Sequence, residues 1–184
     1  MTIKRAFLKC SVAAAFALWA VGAAAQSADV DGLLAELARP EQERWARIER
    51  QILREWGRSG SAALDYIFSR GQNALQSGDA LSAIGHFTAV IDQDPDFAEA
   101  WNGRATAFFL LNRLGQSMAD IEQVLIRNPR HFGALAGMGM IFEQVERPER
   151  ALEAYRASLA IHPHQQTVRE SVARLELALS GRSL

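Results

Sequence analysis

Two histidines, His162 and His164, flank Pro163, and four carboxylates, Asp92, Asp94, Asp96 and Glu99, crowd the stretch "DQDPDFAE". A histidine pair could begin a transition-metal site, but such a site needs further converging ligands and no spacing here supplies them. The pair therefore reads as a solvated turn. The carboxylates would suit calcium, yet the stretch lacks the glycine and the distal glutamate of an EF-hand loop. Acids around a helix start are favoured by the macrodipole without any metal. "GRSGS", residues 57–61, has no strand before it, as a nucleophile elbow requires. "GMG", residues 137–139, falls where a helix is expected, so its small residues serve packing. His86, beside Phe87, reads as a surface or packing residue, and His131 as a helix start. The expectation is no catalytic residue, no metal site, no cofactor and no enzyme, because catalysis needs groups that meet and tune one another's pKa.

What must position these groups comes from the rest of the chain, whose 184 residues allow one ordinary domain. Lys4, Arg5 and Lys9 precede an apolar stretch from Ser11 to Val21, and "GAAAQSA" follows with Ala23 and Ala25 around a small-residue cleavage site. That pattern reads as a secretory signal peptide over residues 1–25, too short for the ~20 apolar residues of a spanning helix. A periplasmic or secreted protein with no membrane span after cleavage is expected. Cys10, the only cysteine, and both lysines would leave with the leader. The remainder would carry 17 arginines against 21 acids, a net charge of −4. Disulfides, cysteine-bound zinc and thiol chemistry are thereby excluded, and nucleic acid, which wants a basic stripe, is not an expected partner.

Pro95, Pro129 and Pro163 stand 34 residues apart, and the residues before them repeat in size. Ile67, Trp101 and Leu135 are large, Gly71, Ala105 and Gly139 small, Ala74, Phe108 and Phe142 follow, then Ala83, Ser117 and Ala151 are small, and Phe87, Ile121 and Tyr155 large. Such alternation predicts two antiparallel helices per unit, large residues seating in the grooves that small ones leave. In "SGDALSAIGHF" Gly78 can close the first helix and Asp79 cap the second. In "ERPERALEAY" Pro148 suits a first-turn position. Each unit ends before its proline, which disfavours helix at the preceding residue.

These residues resemble the tetratricopeptide repeat family over three consecutive units, roughly Leu64 to His164. Asn112 and Glu146 stand in the turn where that family favours glycine. Arg70 and Arg104 stand where an aliphatic residue is usual, and read as side chains snorkelling their stems over the packing face. The whole chain, including "WGRSGSA" and "RNPRHFGALAG", is similar to small secreted repeat proteins of proteobacteria, a likeness that bears on architecture and not on activity. The expected fold is all-α: a right-handed α-solenoid of three tetratricopeptide helix pairs (about 64–97, 98–131 and 132–164, within 62–164). An N-terminal helical extension (26–61) precedes them and a C-terminal capping helix and tail (165–184) follow.

In the extension a short helix before Pro40 and a longer one from Glu41 to about Trp56 are expected, with Trp45, Ile48, Ile52 and Trp56 on one stripe. That stripe either packs on the first repeat or forms a docking or dimer face. The cap carries Val168, Val172, Leu175 and Leu179 at helical spacing. If the first helices line a concave face, the family's usual ligand face, then Asp65, Phe68, Gln72, Glu99, Asn102, Thr106, Phe109, Ala136 and Met140 turn toward it. Family members that clamp a C-terminal carboxylate use basic residues and asparagine at these phases. Here only Asn102 matches, so that mode is not expected. The functional expectation is a non-enzymatic interaction module or scaffold binding a peptide or helix of an envelope protein. The alternatives are a structural or self-associating protein using the Trp45/Trp56 face, or an accessory subunit of an envelope enzyme.

Overall fold

The computed structural model describes residues 30–181. The expected leader, residues 1–25 with Cys10, lies outside the described residues. Among the described residues there are nine helices and no strand: α1 (30–37), α2 (Trp45–Trp56), α3 (Ala62–Gln76), α4 (Ala80–Gln93), α5 (Ala98–Leu110), α6 (Leu114–Arg127), α7 (Phe132–Gln144), α8 (Pro148–Ile161) and α9 (Gln166–Ser180). From α3 onward they pack in pairs, α3 with α4, α5 with α6 and α7 with α8, and α9 lies against α8. None of these helices is long and apolar enough to cross a membrane.

The turn inside each pair repeats atom for atom. Asp79 N donates to Ala74 O, Arg113 N to Phe108 O and Arg147 N to Phe142 O, each at 2.8 Å. These bonds close the first helix by satisfying a carbonyl that its last turn leaves unpaired. The geometry demands a left-handed residue at the preceding position, and Gly78 (φ 80°), Asn112 (φ 56°) and Glu146 (φ 57°) all supply it. Glycine adopts this region without cost and asparagine with little, but glutamate is strained there. Glu146→Gly is therefore expected to stabilise the fold by about 1 kcal/mol, seen as a higher urea midpoint. Asn112→Gly should gain less, because Asn112 Oδ1 also accepts from Gln144 Nε2 at 3.0 Å.

The helices approach closely because large side chains sit where glycine leaves room. A Cβ added at Gly71 would lie 2.6 Å from the Phe87 ring, one at Gly103 2.5 Å from the same ring, and one at Gly139 2.5 Å from Tyr155. Phe87 thus ties α4 to both α3 and α5. Gly103 and its 34-residue counterpart Gly137, which meets Ile121, extend the size pattern across the unit boundary. Phe68, Phe87 and Phe97 anchor the core between the first and second units, Ile121, Val124 and Ile141 that between the second and third, and Leu152, Tyr155, Val168 and Leu175 that under α9.

Two features of the extension differ from expectation. α2 starts at Trp45 rather than Glu41, because residues 38–44 are held in turns: Gln42 Nε2 donates to Glu36 at 2.9 Å, and Gln42 Oε1 accepts from Arg44 N at 3.0 Å. The second, a side-chain bond to nearby backbone, competes with helix, and the first holds the turn against α1. The apolar stripe of α2 also does not cap the first repeat. Leu34, Leu37, Ile48 and Ile52 share a core with Phe132 and Ile161, at the turns that enter α7 and leave α8. Nothing described packs in front of α3. Tyr66 is 64% exposed there, whereas Ala100 and Ala134, its counterparts in the next two units, are 0% and 1% exposed.

Candidate functional site

The first helices of successive units, α5 and α7, together with α9, form the wall of one apolar groove. Two adjoining hollows make it up. The larger, about 470 Å³, lies between α7 and α9 and is lined by Phe109, Ala136, Met140, Glu143, Tyr155 and Val168 among others. The smaller, about 210 Å³, lies between α5 and α7 and is lined by Asn102, Thr106, Phe109, Ala136 and Met140 over Ile121. Phe109, Ala136 and Met140 belong to both, so the hollows are continuous. Met140 is 47% exposed, a large apolar side chain turned to solvent inside a concave surface.

Little charge is available along this wall. No lysine or arginine lines either hollow. At the α9 end Glu143 is held from both sides: Tyr155 Oη donates to Oε1 at 2.8 Å and Arg174 Nη2 pairs with Oε2 at 2.7 Å. Burial, reinforced by the Glu143 carboxylate, pushes the Tyr155 phenol well above its usual range, so it remains a neutral donor. Thr106 Oγ1 bonds the Asn102 carbonyl at 3.0 Å, a bond within its own helix.

Of the residues placed on the concave face from the sequence, Asn102, Thr106, Phe109, Ala136 and Met140 meet there. Phe68 does not. It is 5% exposed and turned into the core, its ring 5.0 Å from Phe97 edge-on and 5.6 Å from Phe87, because a large aromatic at this phase gains more from that cluster than from the surface. Asp65 is turned back onto the linker, where its Oδ1 accepts from Ser59 N at 2.8 Å and Ser59 Oγ at 2.7 Å. Glu99 Oε1 accepts from His131 Nε2 at 2.8 Å, and Gln72 is exposed on α3 outside both hollows. Glu143, Tyr155 and Val168 were missed. Glu143 stands at the 34-residue phase of Phe109, a signal that phase alone carried and residue type concealed.

His162, read from the sequence as part of a solvated turn, is instead buried. His131 and His162 are each 1% exposed. His131 Nδ1 accepts from Ala134 N at 3.0 Å and caps α7, which leaves Nε2 to donate to Glu99. His162 and His164 lie against Trp45, and His131 against Trp56. Among the described residues no three histidine or carboxylate side chains are placed to hold a metal ion. Arg104 does more than snorkel: its Nε and Nη2 form a fork on Asp120 at 2.8 and 2.9 Å, and Nη1 donates to Thr88 Oγ1 at 3.1 Å. Arg70, at the same phase in the first unit, is exposed.

Paired helices of fixed length, stacked through glycine-seated aromatics around a concave face, define an α-helical repeat scaffold. A family model described as a tetratricopeptide repeat matches residues 68–121 and 116–165, and the chain belongs to that family. A TPR repeat-containing protein of Rhizobium etli is 35% identical over 153 residues, covering 83% of this chain and 75% of that one. Hsp70-Hsp90 organizing protein 1 of Glycine max is 25% identical over 110 residues, 60% of this chain but 19% of that much longer protein. Among solved structures, the fold is shared with MamA (TM-score 0.61, 17% identity, 74% of this chain and 78% of that one). It is shared equally with the first TPR of Spaghetti (RPAP3) bound to the HSP90 peptide SRMEEVD (TM-score 0.61, 20% identity, 64% and 93%). A third likeness is to the Yersinia enterocolitica chaperone SycD in complex with a peptide of the translocator YopD (TM-score 0.61, 13% identity, 64% and 95%).

Proposed function

We propose that this protein is a non-enzymatic interaction module of the bacterial periplasm that takes an apolar peptide or helix segment of an envelope protein into the α5–α7–α9 groove. The observation that carries the reading is the continuous apolar hollow around Phe109, Ala136 and Met140, with Met140 turned into it. Exposed methionine and aromatic surface adapts to apolar side chains of varied shape, and a groove of this kind suits a helix presenting anchors on one face. Peptides held by SycD and by Spaghetti show that related folds do bind segments of other proteins. The envelope location rests on the leader-like residues 1–25.

The groove's chemistry argues for an apolar segment over an acidic tail. A terminal carboxylate needs fixed donors, and the lining offers no cation while Glu143 repels one more negative charge. Peptides selected from a displayed random library should bind through apolar residues, and the acidic peptide SRMEEVD should not compete with them. Phe109→Ala and Met140→Glu should each weaken the selected peptides by about tenfold or more, about 1.4 kcal/mol. Phe68→Ala is unsuitable as a groove probe, because that ring is core. Titration calorimetry checks the reading: strong binding of SRMEEVD, or selected peptides indifferent to both groove changes, would contradict it. Trp45 and Trp56, a candidate self-association face from the sequence, are half-buried against His131, Phe132, His162 and His164 of the same chain, which leaves less of that face for a second copy.

A further inference from the structure

α2 reaches the repeats through a short list of side chains, and three of the protein's four histidines are on the receiving surface. At one end Trp56 stacks on His131 (4.8 Å between ring centroids) and tilts against Phe132 (5.3 Å). At the other, Trp45 stacks on His164 (5.6 Å, 7° between planes) and tilts against His162 (5.9 Å). Glu49 Oε1 lies 3.4 Å from His162 Nε2, His164 Nε2 donates to the Arg39 carbonyl at 3.0 Å, and Arg130 pairs with Asp31 of α1. The helix then joins the first repeat through residues 57–61, where Gly60 has φ 83°. Ser59 and Ser61 are tied to the start of α3, Ser59 through Asp65 and Ser61 as its cap, so a swing of α2 falls on residues 57–58 and leaves α3 in place.

His162 is the sensitive point. Its Nδ1 is buried and has no hydrogen-bond partner, and its ring is covered by Trp45 and Phe132. With the Nε2 hydrogen directed at Glu49, a second proton must sit on Nδ1, where nothing accepts it. Trp45 of α2 is one of the two rings packed on the imidazole, so moving α2 away opens that side of the ring to water, which can accept the second proton's hydrogen bond. His131 differs, since its Nδ1 cap on Ala134 persists whether or not Trp56 is in place.

We propose that α1–α2 is a clasp on the turns entering α7 and leaving α8, closed while His162 is neutral and released in acid, with the repeats staying folded. The groups facing His162 are Glu49 from α2, His164 from the following turn, the uncharged Gln165 at the start of α9, and Arg169, which lines the same hollow of about 620 Å³. Burial is the leading influence and lowers the His162 pKa, Glu49 opposes it, and His164 adds to the lowering. Because the closed state binds the proton less readily than the open one, closure keeps its full strength above the ordinary imidazole value near ~6.5 and weakens as pH falls through it and the open state takes up the proton. Thr167 and Val168 line both this hollow and the groove, so opening the clasp reshapes the α9 end of the groove. The clasp itself stands whether or not the groove holds a peptide.

Hydrogen exchange on the full chain, corrected for the chemical exchange rate and compared at pH about 7.5 and about 5.5, tests the clasp. Protection over residues 30–56 should fall by up to about tenfold per pH unit below ~6.5, while residues 62–180 keep theirs. His162→Gln should make protection over 30–56 independent of pH. Glu49→Gln, which removes the charge favouring the protonated ring, should deepen the acid loss. Unchanged or rising protection over 30–56 in acid, an equal loss across the repeats, or a smaller acid loss in Glu49→Gln would each overturn the proposal.

Discussion

Phe87→Ala is expected to destabilise the protein by about 3–5 kcal/mol, the range of aromatic truncations in tightly packed cores. The ring is 0% exposed and occupies the space that two glycines on different helices leave open. Surrounding side chains usually relax into a truncation, but Gly71 and Gly103 have none to offer, and two helix backbones cannot close the gap without separating from α4. The void should therefore stay largely unfilled. Because α4 and α5 belong to different units, the loss should also loosen the first unit from the second. Repeat arrays are stabilised by such neighbour interfaces, so exchange protection over α3 and α4 should fall further than over α7 and α8. A double-mutant cycle sharpens this: Gly103→Ala, which places a Cβ against the ring, should be harmful in the native background and harmless or favourable beside Phe87→Ala. Chemical denaturation of the four proteins gives the coupling directly, and additive losses would show that the ring and Gly103 do not meet.

The second large effect is at Arg104 and Asp120. Asp120→Ala is expected to cost about 3–5 kcal/mol, because it leaves a guanidinium without its carboxylate in a largely enclosed place. The two side chains are 17% and 6% exposed, and Arg104 joins three helices through Asp120 on α6 and Thr88 on α4. The guanidinium also lies 4.9 Å from the Trp101 ring centre. The pair as a whole is worth much less than either half, since both charges lose hydration on folding. Arg104→Met combined with Asp120→Leu should therefore come within about 1 kcal/mol of the native protein, while each single change does not. Denaturation midpoints of the set decide it, and a mild Asp120→Ala would mean that water reaches the arginine.

Both predictions rest on features that the sequence carries unequally. The glycine and aromatic phases at 71, 87, 139 and 155 could be read because a repeated interface imposes the same size at each recurrence. The left-handed turn at 78, 112 and 146 recurs for the same reason, although only its first residue is glycine. The Arg104–Asp120 fork was not legible, since the arginine recurs at Arg70 but the carboxylate does not: His86 stands at the phase of Asp120 in the first unit. Phase also misplaced Phe68, as a position that faces the groove in one unit turns inward in another when its side chain is large enough to reach Phe97. The docking of α2 was least accessible. Its apolar stripe announces that something will cover it, but which surface does so depends on stacking against His131 and His164, far along the chain and outside the repeat period.

On the proposed function the α5–α7–α9 groove receives a segment of another protein. The most direct test is a photo-crosslinking residue substituted for Met140 in the native host, compared with the same residue in place of Glu122, exposed on α6. One discrete adduct is expected from position 140, lost when Phe109→Ala is added, and none from position 122. Adducts that are absent at 140, equal at both positions, or insensitive to Phe109→Ala would contradict the proposed function.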